Sequence, residues 1–416
     1  MSRLQLIFVL LMVTQLHYGQ IIADHTVVDR YSDIPQQYLD EVKKMWLVIA
    51  GESHSYAYMS GLLALEGVSP AHAVSVRLES GTPEPYTTVN LRASRATWGD
   101  LNNSSGWIYS YGEEDWWTSA TAVSRTKAGL LYCHQNGPKL SAIGFGWCWD
   151  PQAGNPSSTS DPVYGVRWYG WSVGSPEGPD RGWGLDNGDN SITGNSVNLD
   201  TYLNATQEYI NYCQSNNIAT KVFFTTGPVD RADIGTSDEG MYNAYLKYER
   251  IRNYVKTDQS RILFDYADIL SYNASGSRST LTWNGHTFPT IHPDNIGGTA
   301  TGHIGSVGAL RLAKAMWWML ARIAGWDGTT TDIVETFVSK DDVFKVENSP
   351  GELRIYIQEN NIQDNLLLYS TNGTLVKTIP LTGNMYIINT SHLLPGAYII
   401  TLRSGKISHS KKIVVS

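Results

Sequence analysis

Residues Met45 to Leu62 read MWLVIAGESHSYAYMSGL. An apolar run from Trp46 to Ala50 stops at Gly51. Glu52, Ser53, His54 and Ser55 then lead into a segment whose apolar residues recur at helical spacing. The run reads as a buried strand, and the Gly-led turn sets a serine between that strand and a helix. The same texture continues downstream. "AHAVSVRLES" reads as a second strand, residues 118–137 as a helix stopped at Gly137, and "LSAIGFGWCWD" as a further strand. "NLDTYLNATQEYINYCQSNN" is an amphipathic helix, with Leu203, Tyr209, Ile210 and Cys213 on one side. "TKVFFTTGPVD" is a strand, "MYNAYLKYERIRNYVKT" a helix, "RILFDYADIL" a strand and "GALRLAKAMWWMLARIAG" a closing helix. This alternation predicts an α/β fold: a flavodoxin-like parallel sheet with helices on both faces.

Within that unit, residues 149–196 form a long segment rich in Gly, Trp, Asp, Asn and Ser. It reads as a surface insertion over the carboxyl edge of the sheet, where open α/β folds bind ligands. After "GWDGTTTD" the pattern changes to short alternating strands separated by turns such as Asn372-Gly373 and Pro395-Gly396. That texture predicts a small all-β sandwich. The expected organisation is a signal peptide over 1–19, a catalytic domain over 20–328, a linker over 329–340 and the sandwich over 341–416.

Composition narrows the function. A formal net charge of −8 over 416 residues argues against a nucleic-acid partner, which calls for clustered Lys and Arg. The chain carries 14 Trp and 24 Tyr against 8 Phe, a balance that suits half-wet surfaces such as those that hold sugars. Large β-rich secreted proteins share that balance. Arg3 followed by an apolar run from Leu6 to Val13 and then small Gly19 has the order of a secretory signal. No other stretch is long and apolar enough for a transmembrane segment. Cys133, Cys148 and Cys213 lack metal-ligand spacing, so neither a metal nor an organic cofactor is expected. They read as small buried side chains, or as one disulfide and a leftover thiol.

The tail resembles a known family. "LLLYSTNGTLVKTI", "LLPGAYIITL" and the terminal "KKIVV" are similar to the type A sorting domain of the type IX secretion system of Bacteroidota. The resemblance implies Sec export, then passage through the outer-membrane secretion machinery to the surface or the medium. A carbohydrate-binding or adhesion sandwich is the other reading of the same strands.

A serine hydroxyl becomes a nucleophile when a base takes its proton and N–H donors await the oxyanion. Gly51-Glu52-Ser53 resembles the Gly-Asp-Ser block of the SGNH/GDSL hydrolases, with Glu in place of Asp. "GHIGSVGALRLAKA" resembles their last block, with His303, Gly308 and Ala313 at the family's offsets. The resemblance covers about residues 45–325. It implies that Ser53 is the nucleophile and His303 its base, with the oxyanion held by the N–H of Ser53 and by donors near Gly99 and Gly146. The family's Asp before the His is Ala300 here, so Asp294 is the nearest acid to orient His303; His292 is a rival base. Gly146-Trp147-Cys148 lacks the family's Asn. His54, Trp147, Trp149, Trp168 and Trp171 are the expected substrate contacts.

The resulting expectation is a secreted serine esterase that deacetylates a polysaccharide or other glycan. A lipid or small-molecule esterase is one alternative, and a non-catalytic glycan-binding protein on the same fold is another. A two-carboxylate glycosidase would draw on Asp115, Asp150, Asp230 or Glu239, which no pattern pairs.

Overall fold

The structure is a computed structural model. It describes residues 19–51, 54–78, 85–95, 115–137, 139–170, 182–230, 236–298, 300–301 and 303–329, then 344–349, 351–357, 365–370, 374–381, 383–393, 396–404 and 407–415. Ser53, Gly99, Trp171, nearly all of the expected signal peptide and most of the expected linker lie outside these residues. The chain divides into two compact units, Met1–Thr329 and Thr330–Ser416.

In chain order the first unit carries β1 (Ile22–Ala23), α1 (Gln36–Val42), β2 (Trp46–Gly51), α2 (Ser55–Val68), β3 (Val74–Arg77) and β4 (Leu91–Ser94). Then come α3 (Asp115–Thr118), α4 (Ala120–Asn136), β5 (Leu140–Gly146), α5 (Asn190–Thr193), α6 (Leu199–Ser215), β6 (Lys221–Val222) and β7 (Phe224–Thr225). The unit ends with α7 (Asp238–Lys256), β8 (Leu263–Phe264), α8 (Tyr266–Ser271), hairpins β9 (Thr280–Trp283)–β10 (His286–Pro289) and β11 (Ala300–Thr301)–β12 (Ile304–Gly305), and α9 (Ser306–Ile323).

β2 is buried along its whole length, as its apolar run requires. It pairs in parallel with β4 on one side and β5 on the other, in the sheet order β3-β4-β2-β5-β6. A second parallel sheet runs β1-β8-β7. Residues 221–225 join the two: the Phe223 N–H donates to Ile143 O at 3.0 Å, and the Phe224 N–H to Ile262 O at 2.9 Å. From β2 the chain builds toward β4 first and then, through β5, away on the other side. The reversal therefore falls between β2 and β5, and the crevice beyond their carboxyl ends is where such sheets take ligands.

The period-2 alternation of β2 sorts its side chains. Leu47 and Ile49 enter a core shared with α1, α2 and α9, while Trp46, Val48 and Ala50 face cores built by α4, α6 and α7. Helices thus cover both faces, as expected. Two sequence readings change. "RILFDYADIL" is a short strand and then a helix, because the Asp265 carboxylate accepts from the Asp268 N–H and caps α8. A fully buried strand, β4, lies between β3 and β2 where none was expected.

In the second unit β13 (Phe344–Ser349), β14 (Glu352–Ile357) and β17 (Met385–Asn389) form one antiparallel sheet. β15 (Asn365–Ser370), β16 (Leu375–Pro380), β18 (Gly396–Ser404) and β19 (Ile407–Val415) form another, ordered β16-β15-β18-β19. Alternate residues of both, including Leu353, Ile355, Leu366, Leu368, Ile400 and Leu402, share one core.

Candidate active site

The site is set by how closely β2 and β5 end. Gly51 and Gly146 are register partners. Gly51 has φ +122°, and a Cβ there would lie 2.2 Å from Gly146 O. A Cβ on Gly146 would lie 2.6 Å from the Cβ of Ser55. Only glycine fits at either position, and the two strand ends therefore lie backbone to backbone.

Beyond those ends, His54 and Cys148 meet. His54, at the N-cap of α2, is 0% exposed, and its Nδ1 lies 3.3 Å from Cys148 Sγ. Around the imidazole stand Trp149 and Tyr266, both edge-on, with ring centroids at 6.0 and 6.2 Å. Burial, and secondarily the nearby His303, hold the His54 pKa well below its ordinary 6.5, so the ring is neutral at physiological pH.

His303 arrives from the far end of the chain. It sits in the tight turn between β11 and β12, immediately before α9, and is exposed. Its φ is +64°, a left-handed conformation that costs a non-glycine residue free energy and concentrates at functional sites. Its ring is 5.0 Å from the His54 ring and 4.0 Å from the Trp149 ring, centroid to centroid. His54, Cys148, Trp149 and His303 are thus one cluster, next in the chain to Ser53 and beside Gly146.

Other expected site residues lie elsewhere. The Asp294 carboxylate accepts from Asn273 Nδ2 at 2.9 Å and stands 3.6 Å from His292 Nδ1. Among the described residues its partners are these, not His303, so the expected Asp294–His303 pairing is corrected. His292 caps the short 3-10 turn at Pro293, its Nδ1 accepting from the Asp294 N–H. Trp147 and Trp168 are core residues rather than substrate contacts. Both are buried, with indole N–H groups donating to Thr225 O at 2.9 Å and Asp161 Oδ2 at 3.2 Å. His54 is likewise too deep to meet a ligand in this conformation, and Trp149 is half-buried. Of the glycosidase candidates, Glu239 is taken by Arg167 at 2.6 Å, and Asp230 is buried with its N–H on Gln152.

Sequence reasoning missed Cys148 and Tyr266 as neighbours of the site. Cys148 was read as part of the strand "LSAIGFGWCWD", but β5 ends at Gly146, which leaves Cys148 in the turn beyond it and beside His54. The Tyr266 position required the helix that the sequence concealed. Cys133, Cys148 and Cys213 are all buried, and no two of them form a disulfide. Among the described residues a possible metal cluster of Asp24, His25 and Asp268 lies apart from these groups, and its carboxylates already serve Thr26 and His25.

No curated protein matches the chain. Among solved structures, a candidate lipolytic protein of the G-D-S-L family from Desulfitobacterium hafniense DCB-2 aligns at 11% identity and TM-score 0.30, over 67% of this chain and 99% of that one. An endo-beta-1,4-mannanase from Thermotoga petrophila aligns at 10% identity and TM-score 0.17, over 96% and 98%. At such scores neither decides anything about this chain. No helix among the described residues is long and apolar enough to cross a membrane. Residues 349–416 match the family described as Secretion system C-terminal sorting domain. The second unit thus carries a type IX sorting domain, which implies handling by the secretion machinery and delivery to the cell surface or beyond.

Proposed function

We propose that residues 20–328 form an SGNH-like serine esterase with a flavodoxin-like sheet, exported to act on esters outside the cell. One observation carries this reading: His303, in a strained turn, is held against the residue that follows Ser53 at the carboxyl end of β2. Ser53 Oγ attacks the ester carbonyl carbon as His303 takes its proton. The tetrahedral intermediate then expels the alcohol, which receives that proton from His303. Water, deprotonated by His303, attacks the acyl-serine; the acid leaves and the proton returns to Ser53. The N–H groups at the start of α2 and around Gly146 are the oxyanion donors in this scheme. The half-buried Trp149 beside His303 favours an acetylated glycan as substrate, because an indole face can stack on a sugar ring.

The test is hydrolysis of p-nitrophenyl acetate and acetylated xylan by the full chain, beside Ser53→Ala, His303→Ala and His292→Ala. Loss of at least about a thousandfold in kcat is expected for the first two, with His292→Ala active. Activity that survives His303→Ala but not His292→Ala moves the base. The placement of Asp294 away from His303 favours a second reading, a glycan-binding protein without catalysis. An inactive wild type that still binds xylan would establish it.

A further inference from the structure

The esterase scheme gives His54 no task. That residue is fully buried, directly follows Ser53, and reaches across to the turn after β5. Its Nε2 is also buried and has no hydrogen-bond partner among the described residues. A buried polar atom left unpaired is costly, and natural proteins retain few of them. Either partner of the Nδ1–Sγ contact is a candidate donor. Sulfur is a weak acceptor and an imidazole nitrogen a good one, so the favoured arrangement has the Cys148 S–H donating to Nδ1 and the proton of His54 on Nε2.

We infer that His54 and Cys148 form a neutral clamp that ties the start of α2, directly after Ser53 in the chain, to the turn after β5 and leaves the proton transfer to His303. The inference rests on the esterase reading and assigns His54 as a positioning residue. Three features support it. Gly51 and Gly146 let the strand ends touch without side chains, so side chains beyond them must fix the turns. The groups described around the His54 ring are Cys148 after β5, Trp149 beyond it, Tyr266 at the start of α8 and His303 before α9. Asp230 acts on Tyr266 rather than on His54. Among the described residues no carboxylate acts on His54, and burial together with His303 keeps its pKa low, so it stays uncharged when His303 becomes a cation. A charged imidazole at that distance would oppose the proton transfer.

The experiment compares Cys148→Ala, Cys148→Ser, His54→Phe and the wild-type full chain for kcat, KM and Tm, with Ser53→Ala as the blank. Cys148→Ala and His54→Phe are expected to lower kcat about ten- to hundredfold at nearly constant KM, the cost of a misaligned nucleophile. Cys148→Ser keeps an O–H donor for Nδ1 and should retain most of the rate. Nitrogen-15 NMR of the wild-type imidazoles supplies a readout that needs no activity. His54 is expected as the Nε2–H tautomer, titrating only well below the ordinary histidine range. Ordinary titration of His54, the Nδ1–H tautomer, or equal losses in Cys148→Ser and Cys148→Ala at unchanged Tm would overturn the clamp. An active wild type with indifferent variants overturns the clamp alone. An inactive wild type overturns the esterase reading and the positioning role with it.

Discussion

The two faces of the parallel sheet are built on different chemistry. On one, α2 and α9 meet through small residues, and the core is mainly aliphatic, with Trp317, Trp318 and Trp326 among its aromatic rings. A Cβ on Gly61 would lie 2.0 Å from Ala309 O, so these helices touch backbone to backbone. On the other, α6 and α7 pack a cluster of Trp, Tyr and Phe around buried charge. Lys247 is 0% exposed, donates to Pro151 O at 3.0 Å and lies 4.8 Å from the Trp183 ring centroid. Burial pushes its pKa well below the ordinary lysine range. Burial, together with the neighbouring Asp161, pushes Asp189 up to about 6. The contrast teaches that one face is held by fit and the other by polar satisfaction. The candidate site draws on both, taking His54 from the start of α2 and Trp149 from the segment leading to the aromatic face.

The comparison breaks most sharply at Arg252, whose guanidinium makes two bonds to Asp265, at 2.6 and 2.7 Å. Arg252→Leu should cost about 3–5 kcal/mol in urea unfolding, because it strands a buried carboxylate. Burial raises the Asp265 pKa, but Arg252 outweighs it and leaves the net value lowered. In the native chain the pair's contribution is therefore present above the ordinary carboxylate pKa and lost as pH falls through the lower folded value. The variant should lose this acid sensitivity, which stability curves from pH 7 to 3 will check.

The fitted face should fail by overpacking. Gly61→Ala is expected to lower stability by about 3 kcal/mol, since a backbone carbonyl cannot move aside as a side chain can. A fall in Tm with unchanged pH dependence would mark it as steric. The same face also buries His72 against Trp317, with its ring 4.8 Å away, and burial lowers its pKa to about 4. The unfolded chain binds that proton first, so stability should drop by about 2 kcal/mol as pH falls from 6.5 towards 4. His72→Gln should flatten this limb in the same pH series.

The smallest effect sharpens the contrast on a single helix. Arg250 lies near Arg252 on α7 and binds Asp200 through both carboxylate oxygens, at 2.8 and 2.9 Å, but is partly solvated. Arg250→Ala should cost only about 0.5–1 kcal/mol and should cost less still in high salt.

Legibility followed periodicity. β2, β5, α4, α6, α7 and α9 each carry a sustained apolar pattern, and all were readable. β4 was not, since Leu91-Arg92-Ala93-Ser94 holds two polar residues that tertiary contacts satisfy: Arg92 lies under the Trp46 ring at 5.9 Å, and Ser94 accepts from the Trp46 indole at 2.9 Å. At the site, His303 was legible because a helix pattern follows it at fixed offsets. Asp294 was assigned by nearness in sequence, and space gave it to His292 instead. Trp147 and Trp168 were assigned by residue type, which cannot tell an indole that meets solvent from one that fills a core.

The first strand of the chain has a consequence for the order of assembly. Ile22 and Ala23 pair with Leu263 and Phe264, and the Gln20 side chain donates to the carbonyls of Val255, Asp258 and Arg261. Ile22 and Ala23 thus wait for their strand partners until Leu263 and Phe264 have been synthesised. Joining ends so far apart in sequence comes at a loop-closure cost and makes folding slow. A unit built this way cannot close its second sheet while its later half is still emerging from synthesis.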